Sequence, residues 1–197
     1  MTDDAAAVWD AQAADFDDAP DHGLRDAVVR RAWERLLVAQ MPSAPAAIAD
    51  LGCGTGSLAV LMASAGHSVV GVDIAPRMIA AARAKASAAA VDARFLVADA
   101  AAPGLARHGF DVVLARHVLW AMPDVDAALA EWIALLRSDG RLVLIEGRWH
   151  TGAGLRASDA EEAVRRHREE AAVTSLDDAD LWGGPISDER YLLVSRR

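Results

Sequence analysis

The run Asp50-Leu51-Gly52-Cys53-Gly54-Thr55-Gly56 carries the clearest chemistry in the chain. Three glycines at alternate positions let a backbone turn sharply and approach a ligand closely. A helix starting just after such a turn offers free N–H groups and the positive end of its dipole, which favour a carboxylate or phosphate. Two further acids stand at matching places. Asp73 ends an apolar run about 20 residues beyond the loop, where nucleotide-binding α/β sheets set an acid on the ribose hydroxyls. Asp99 ends the next run and would face the same crevice. The plainer alternative for both is a helix cap, a position that aspartate favours.

Groups that could move a proton near that crevice are His22, His117, His150 and Glu146. His117 follows Arg116 at the C-terminal end of an expected strand, the edge where open α/β sheets place ligands. Glu146 and His150 lie at the end of the next strand, at the same edge. His22 sits in an N-terminal turn. Each also has an ordinary reading as a packing or helix-start residue. Six tryptophans are many for this length. Trp9, Trp120 and Trp149 could wall an apolar or aromatic pocket, whereas Trp33 and Trp132 belong in the core.

The elements that must position these groups follow from the hydrophobic pattern. Helices are expected from Val8 to Phe16 and from Leu24 to Gln40, with Leu24, Val28, Ala32 and Leu36 on one face. Strands are expected over Ala47 to Leu51, Ser68 to Asp73, Ala93 to Ala98, Phe110 to Ala115 and Arg141 to Glu146. Helices alternate with them at Ser57 to Ala65, Pro76 to Ala88 and Val125 to Leu136, the second with proline in its first turn. A polar helix from Ser158 to Glu170 and strands at Ala172 to Leu176 and Arg190 to Ser195 complete the chain. Trp182-Gly183-Gly184-Pro185 reads as a hairpin turn between those last strands. Such alternation predicts an α/β fold with a parallel sheet covered by helices on both faces.

With 197 residues, of which 53% are hydrophobic, the chain suits one well-buried domain. No apolar run could span a bilayer, so no membrane partner is expected. The start Met1-Thr2-Asp3-Asp4 is acidic where a secretory leader is basic, so a cytoplasmic location is expected. A net charge of −9 argues against a nucleic-acid partner. Cys53 is the only cysteine, which excludes an intrachain disulfide and a cysteine-based zinc site; no metal site is expected. Lys85 is the only lysine in an arginine- and alanine-rich chain, which reads as codon bias. Nothing in the pattern specifies an oligomeric state.

Taken in order, the motifs resemble those of the class I S-adenosylmethionine-dependent methyltransferases. Asp50-Leu51-Gly52-Cys53-Gly54-Thr55-Gly56 looks like the first motif and Val70-Gly71-Val72-Asp73-Ile74-Ala75-Pro76-Arg77-Met78 the second. Phe95-Leu96-Val97-Ala98-Asp99-Ala100 looks like the third, Phe110 to Leu119 like the fourth-strand signature, and Leu136 to Leu144 like the turn into the fifth strand. The resemblance implies a Rossmann-like, seven-stranded, mostly parallel sheet whose last strand, Arg190 to Ser195, is antiparallel. It implies a single domain, with residues 1–42 as N-terminal helices forming a lid and 43–197 as the cofactor-binding core.

It also implies roles. S-adenosyl-L-methionine would be the cofactor. Asp50, Gly52, Cys53, Gly54 and Gly56 would form the turn around its methionine part, with Asp50 near the amino group. Asp73 would bind the ribose hydroxyls, Ile74 and Met78 would pack on the adenine, and Asp99 and the Ala100 N–H would read its edge. The Arg116 backbone would complete the pocket. A dinucleotide fingerprint would instead place its third glycine where Ser57 stands. The expected reaction is in-line methyl transfer to a small-molecule acceptor, apolar or aromatic in character, driven by proximity and orientation, with His117 as the candidate base. Phe16 stands where related enzymes often carry a tyrosine, so no phenol is available there for the cofactor carboxylate. The competing expectations are a cofactor-binding regulatory module and an enzyme using the same pocket for another reaction.

Overall fold

The computed structural model describes residues 3–197. Strands β1 (Ala47–Leu51), β2 (Ser68–Asp73), β3 (Ala93–Val97), β4 (Phe110–Arg116), β5 (Leu136–Arg148), β6 (Ala172–Ser175) and β7 (Glu189–Arg196) form one sheet. Its order is β3-β2-β1-β4-β5-β7-β6. β1 to β5 pair in parallel, and β7 runs antiparallel to both β5 and β6. The strand order reverses between β1 and β4, so a crevice opens beyond their C-terminal ends.

Alternation along the central strands divides the core in two. Ile48, Val112, Leu114, Val143 and Ile145 pack on one face, against helices α3 (Ala27–Val38), α4 (Ser57–Ser64) and α5 (Pro76–Ala88). Ala49, Leu51, Val113, Ala115 and Leu144 pack on the other, against α6 (Val125–Leu135) and α7 (Ala157–Arg165). Trp33 and Trp132 are fully buried. Among the described residues no helix is long and apolar enough to cross a membrane.

Local chemistry explains where the elements depart from expectation. The first helix, α1 (Asp3–Gln12), stops short of Phe16, and a separate turn, α2 (Pro20–Gly23), follows. Leu24 takes a left-handed conformation and ends α2, while the Asp26 carboxylate accepts from the Val28 and Val29 N–H groups and starts α3. The buried face of α3 is therefore Val29, Ala32, Trp33 and Leu37, and Val28 is exposed. β5 begins at Leu136, because Phe110 opposes Leu136 and Val112 opposes Arg141, leaving 137–140 as a bulge against Asp111. α7 ends at Arg165, and Arg168 turns inward to donate to Ser195 Oγ at 3.0 Å and the Gly140 carbonyl at 2.8 Å. The expected hairpin turn at 182–185 is instead the end of α8 (Ala179–Trp182), capped by left-handed Gly183. The Trp33 Nε1–H donates to the Leu181 carbonyl at 2.7 Å, and its ring meets Trp182 edge-on.

That contact joins α3 to the β6–β7 connection. Trp33→Ala should cost about 3–5 kcal/mol. Thermal unfolding should register it as a Tm drop of roughly 2–4 °C per kcal/mol. A drop under about 2 °C would show that the indole is not a structural anchor.

Candidate functional site

The turn after β1 is held by its neighbours rather than by β1 alone. Gly52 has a φ of +67°, and a Cβ there would lie 2.4 Å from Val118, in the segment that leaves β4. A Cβ on Gly54 would meet the Phe16 ring at 3.3 Å, and one on Gly56 would meet Ala82 of α5 at 2.8 Å. The third glycine thus allows close packing between the start of α4 and α5. The Cys53 N–H donates to the Val72 carbonyl at 2.9 Å. The Gly54 N–H donates to Asp73 Oδ2 at 2.9 Å, and Asp73 Oδ1 accepts from the Ala75 N–H at 2.9 Å.

A cavity of about 360 Å³ opens at this edge. One half is walled by Asp50, Gly52, Cys53, Gly54, Asp73, Ile74, Met78 and Ala100, with Arg116 at the boundary. Nine of the eleven residues expected to hold a cofactor therefore meet there; Gly56 and Asp99 are outside the wall. Asp99 Oδ1 accepts from the Ala101 N–H at 2.8 Å, the local geometry of a turn cap.

Asp50 is almost fully buried, and its Oδ2 has no hydrogen-bond partner among the described residues. Burial pushes its pKa up to about 7, with Arg116 pulling down and Asp73 pushing up. Burial also raises Asp73, against the bonds from Ala75 and Gly54. An unpaired buried carboxyl beside a glycine turn is a ready partner for an ammonium group. The Cys53 thiol is raised by burial and is inert at neutral pH.

The N-terminal segment lies across this half. Asp17 accepts from Lys85 Nζ at 2.8 Å and from the Thr55 hydroxyl, and Lys85 also donates to Ser57 Oγ at 2.6 Å. Asp10 Oδ1 accepts from the Arg77 N–H at 2.7 Å, at the start of α5. The lone lysine is therefore a structural clamp that sequence reading passed over. The available signal was the pair of hydroxyls, Thr55 and Ser57, flanking Gly56. Arg116 donates to the Asp21 carbonyl and lies over the Trp33 ring at 5.0 Å.

The other half is aromatic. Trp9, Phe16, His22, His117, Trp120 and Trp149 also line the cavity, with Phe16 over the glycine turn, so the three tryptophans expected at a pocket all reach it. His22 stacks on Phe16 with ring centroids 4.3 Å apart. The His117 ring meets Trp149 edge-on at 5.1 Å. Burial drives His117 well below the ordinary histidine pKa, aided by Arg116, His22 and Arg190, so the ring is neutral. Two other candidates fall away. Glu146 lies behind the cavity wall, where Oε1 accepts from the Val118 N–H at 2.9 Å and the Leu119 N–H at 2.7 Å. Burial lifts its pKa to about 8. The His150 side chain is 80% exposed and pairs with Asp188, away from the cavity.

Residues 49–144 match the family model described as a methyltransferase domain. A demethylmenaquinone methyltransferase of Thermus thermophilus is 40% identical over 117 residues, covering 58% of this chain and 53% of that protein. A nocamycin O-methyltransferase of Saccharothrix syringae is 33% identical over 145 residues, covering 71% and 47%. The chain thus spans about half the length of the curated relatives it matches. Among solved structures, a TehB-like SAM-dependent methyltransferase from Corynebacterium glutamicum superposes with a TM-score of 0.66 at 25% identity, covering 98% of this chain and 95% of that one.

The two raised carboxyls give a pH signature. Both titrate higher folded than unfolded, so the folded chain holds more protons between their ordinary values, 3.8 and 4.5, and about 7 and 8. Their stabilising contribution is full below those ordinary values and is lost as pH rises through the folded ones. Buried histidines with lowered pKa act in the opposite sense below 6.5. Difference curves against Asp50→Asn and Glu146→Gln isolate the carboxyls. In urea titrations, wild type minus variant should fall with pH up to about 7 for Asp50 and about 8 for Glu146. A flat difference would show that the carboxyl is ionised in the folded chain.

Proposed function

We propose that this chain is a class I S-adenosylmethionine-dependent methyltransferase and that it methylates a small aromatic acceptor at the part of the cavity walled by Trp9, Trp120 and Trp149. One observation supports this reading above the rest: a single cavity is lined both by the glycine turn with its acids and by Trp9, Trp120 and Trp149, with Arg116 and His117 in the same wall. The matched relatives are named for demethylmenaquinone and nocamycin, both small molecules.

The residues fit the cofactor. When bound, S-adenosylmethionine supplies an electrophilic methyl on a sulfonium. Asp50 takes the ammonium of the methionine part with its unpaired Oδ2, and the turn at Gly52 to Gly54 admits the backbone of that part. Asp73 keeps lone pairs for the ribose hydroxyls while its bonds to Gly54 and Ala75 hold its rotamer. Ile74 and Met78 pack on the adenine. The segment 3–42 closes the cavity through the Asp17–Lys85 clamp, and 43–197 forms the core beneath it. The chain's contribution to rate is orientation of the acceptor in line with the methyl and exclusion of water. His117, neutral and at the junction, shapes the acceptor end.

S-adenosylhomocysteine at 100 times its Kd should raise Tm by roughly 5–10 °C, and NAD should leave it unchanged. Stabilisation by NAD alone would sink the assignment. Binding below pH 7 should release a proton as Asp50 ionises against the ammonium, seen by calorimetry in buffers of different ionisation enthalpy. Asp50→Asn should abolish that release. Asp73→Ala should weaken binding by about 2–4 kcal/mol, and unchanged affinity would reduce Asp73 to a turn cap.

A further inference from the structure

Asp21, His22 and His117 form a cluster that the cofactor half of the cavity does not use. A ring nitrogen from each histidine and a carboxylate oxygen of Asp21 all lie within 4.8 Å of one another. His22 Nδ1 lies 3.3 Å from the Phe16 carbonyl oxygen, and His22 Nε2 lies 3.6 Å from Asp21 Oδ2. A neutral ring that donates from Nδ1 to a carbonyl presents a bare lone pair at Nε2. That lone pair then faces a carboxylate 3.6 Å away, an arrangement completed by a proton or by a metal ion shared between them. The third member supplies an independent sign. His117 Nε2 is buried and has no hydrogen-bond partner among the described residues.

We propose that Asp21, His22 and His117 bind one divalent first-row transition-metal ion where the N-terminal segment meets the aromatic half of the cavity. Two imidazole nitrogens and one carboxylate suit iron(II), manganese, cobalt or zinc, and leave coordination positions open on the side facing the cavity. Calcium and magnesium prefer all-oxygen sets and fit poorly. The bond from His22 Nδ1 to the Phe16 carbonyl is the outer contact that fixes a ligand's tautomer and aim. The Arg116 guanidinium is the opposing charge nearby; it donates to the Asp21 carbonyl and is attracted by the carboxylates of Asp21, Asp50 and Asp17. Its grip on Asp21 also holds that residue beside the histidines. In this place the ion would take an oxygen of the acceptor, a role that rests on the methyltransferase reading. Metal binding itself does not rest on it.

Cobalt(II) titration of the chelator-stripped protein tests the site, because visible bands report mixed nitrogen and oxygen ligation. A single equivalent should bind with such bands. Asp21→Asn and His22→Ala should each weaken it about tenfold or more, while His150→Ala, which alters only the exposed pair with Asp188, should not. Absent bands, or binding that survives Asp21→Asn and His22→Ala, would overturn the site. S-adenosylhomocysteine binding, measured on the same samples by calorimetry without metal, checks that each variant is folded. Loss of that binding in wild type would overturn the methyltransferase reading alone, since the cobalt spectrum decides the metal site in either case.

Discussion

Buried carboxyl groups on β2 and β5, the strands that flank β1 and β4, hold both loops that make the cavity. Asp73, at the end of β2, bonds the Gly54 N–H in the turn that leaves β1. Glu146, near the end of β5, bonds the Val118 and Leu119 N–H groups in the segment that leaves β4. In each case the outer strand of a pair fixes the exit of the inner one. The two exits then meet, because Gly52 has no side chain and Val118 fills the space. A loop tied only to its own strand could drift; one tied to the next strand moves only if the sheet does.

The two carboxyls differ in what remains to be satisfied. Asp73 has both oxygens engaged, and its burial cost is offset by two backbone donors. Asp50, beside it, keeps an oxygen with no partner. Its neighbour Asp73 raises its pKa and Arg116 lowers it, so its charge depends on what enters the cavity. The bonds that hold the turn are thus made before a ligand arrives, and at the cavity wall Asp50 Oδ2 and His117 Nε2 are left to meet one.

The parallel half of the fold was legible because its strands are buried on both faces and bounded by glycine, proline and polar turns. β1, β2 and α5 have the boundaries their residues predict. The N-terminal third was less so. Val28 and Val29 are equally apolar, and only Trp33, Leu181 and Trp182 decide that Val29 turns inward. In the site, the glycine spacing and Asp73 were readable because motif and ligand contact coincide within one turn. For Gly56 spacing gives no sign of whether a glycine faces a ligand or a helix, and its missing side chain leaves room for Ala82 of α5. Lys85, Asp17, Asp21 and His22 were out of reach as partners, since their contacts join residues far apart in the chain. His150 matched its motif position, but the bonds to Asp188 draw it outward.

Lys85 has a consequence for handling the protein. It carries the only side-chain amine in the molecule, and that amine is occupied by Asp17, Thr55 and Ser57. Acylating reagents attack the free, unprotonated amine, so the closed N-terminal segment masks it. A covalent tag on Lys85 would then be gained only when that segment lifts, and its rate of appearance at that residue would be a clock for opening. Resin coupling or fluorophore attachment through lysine would, by the same token, trap the cavity in its uncovered form.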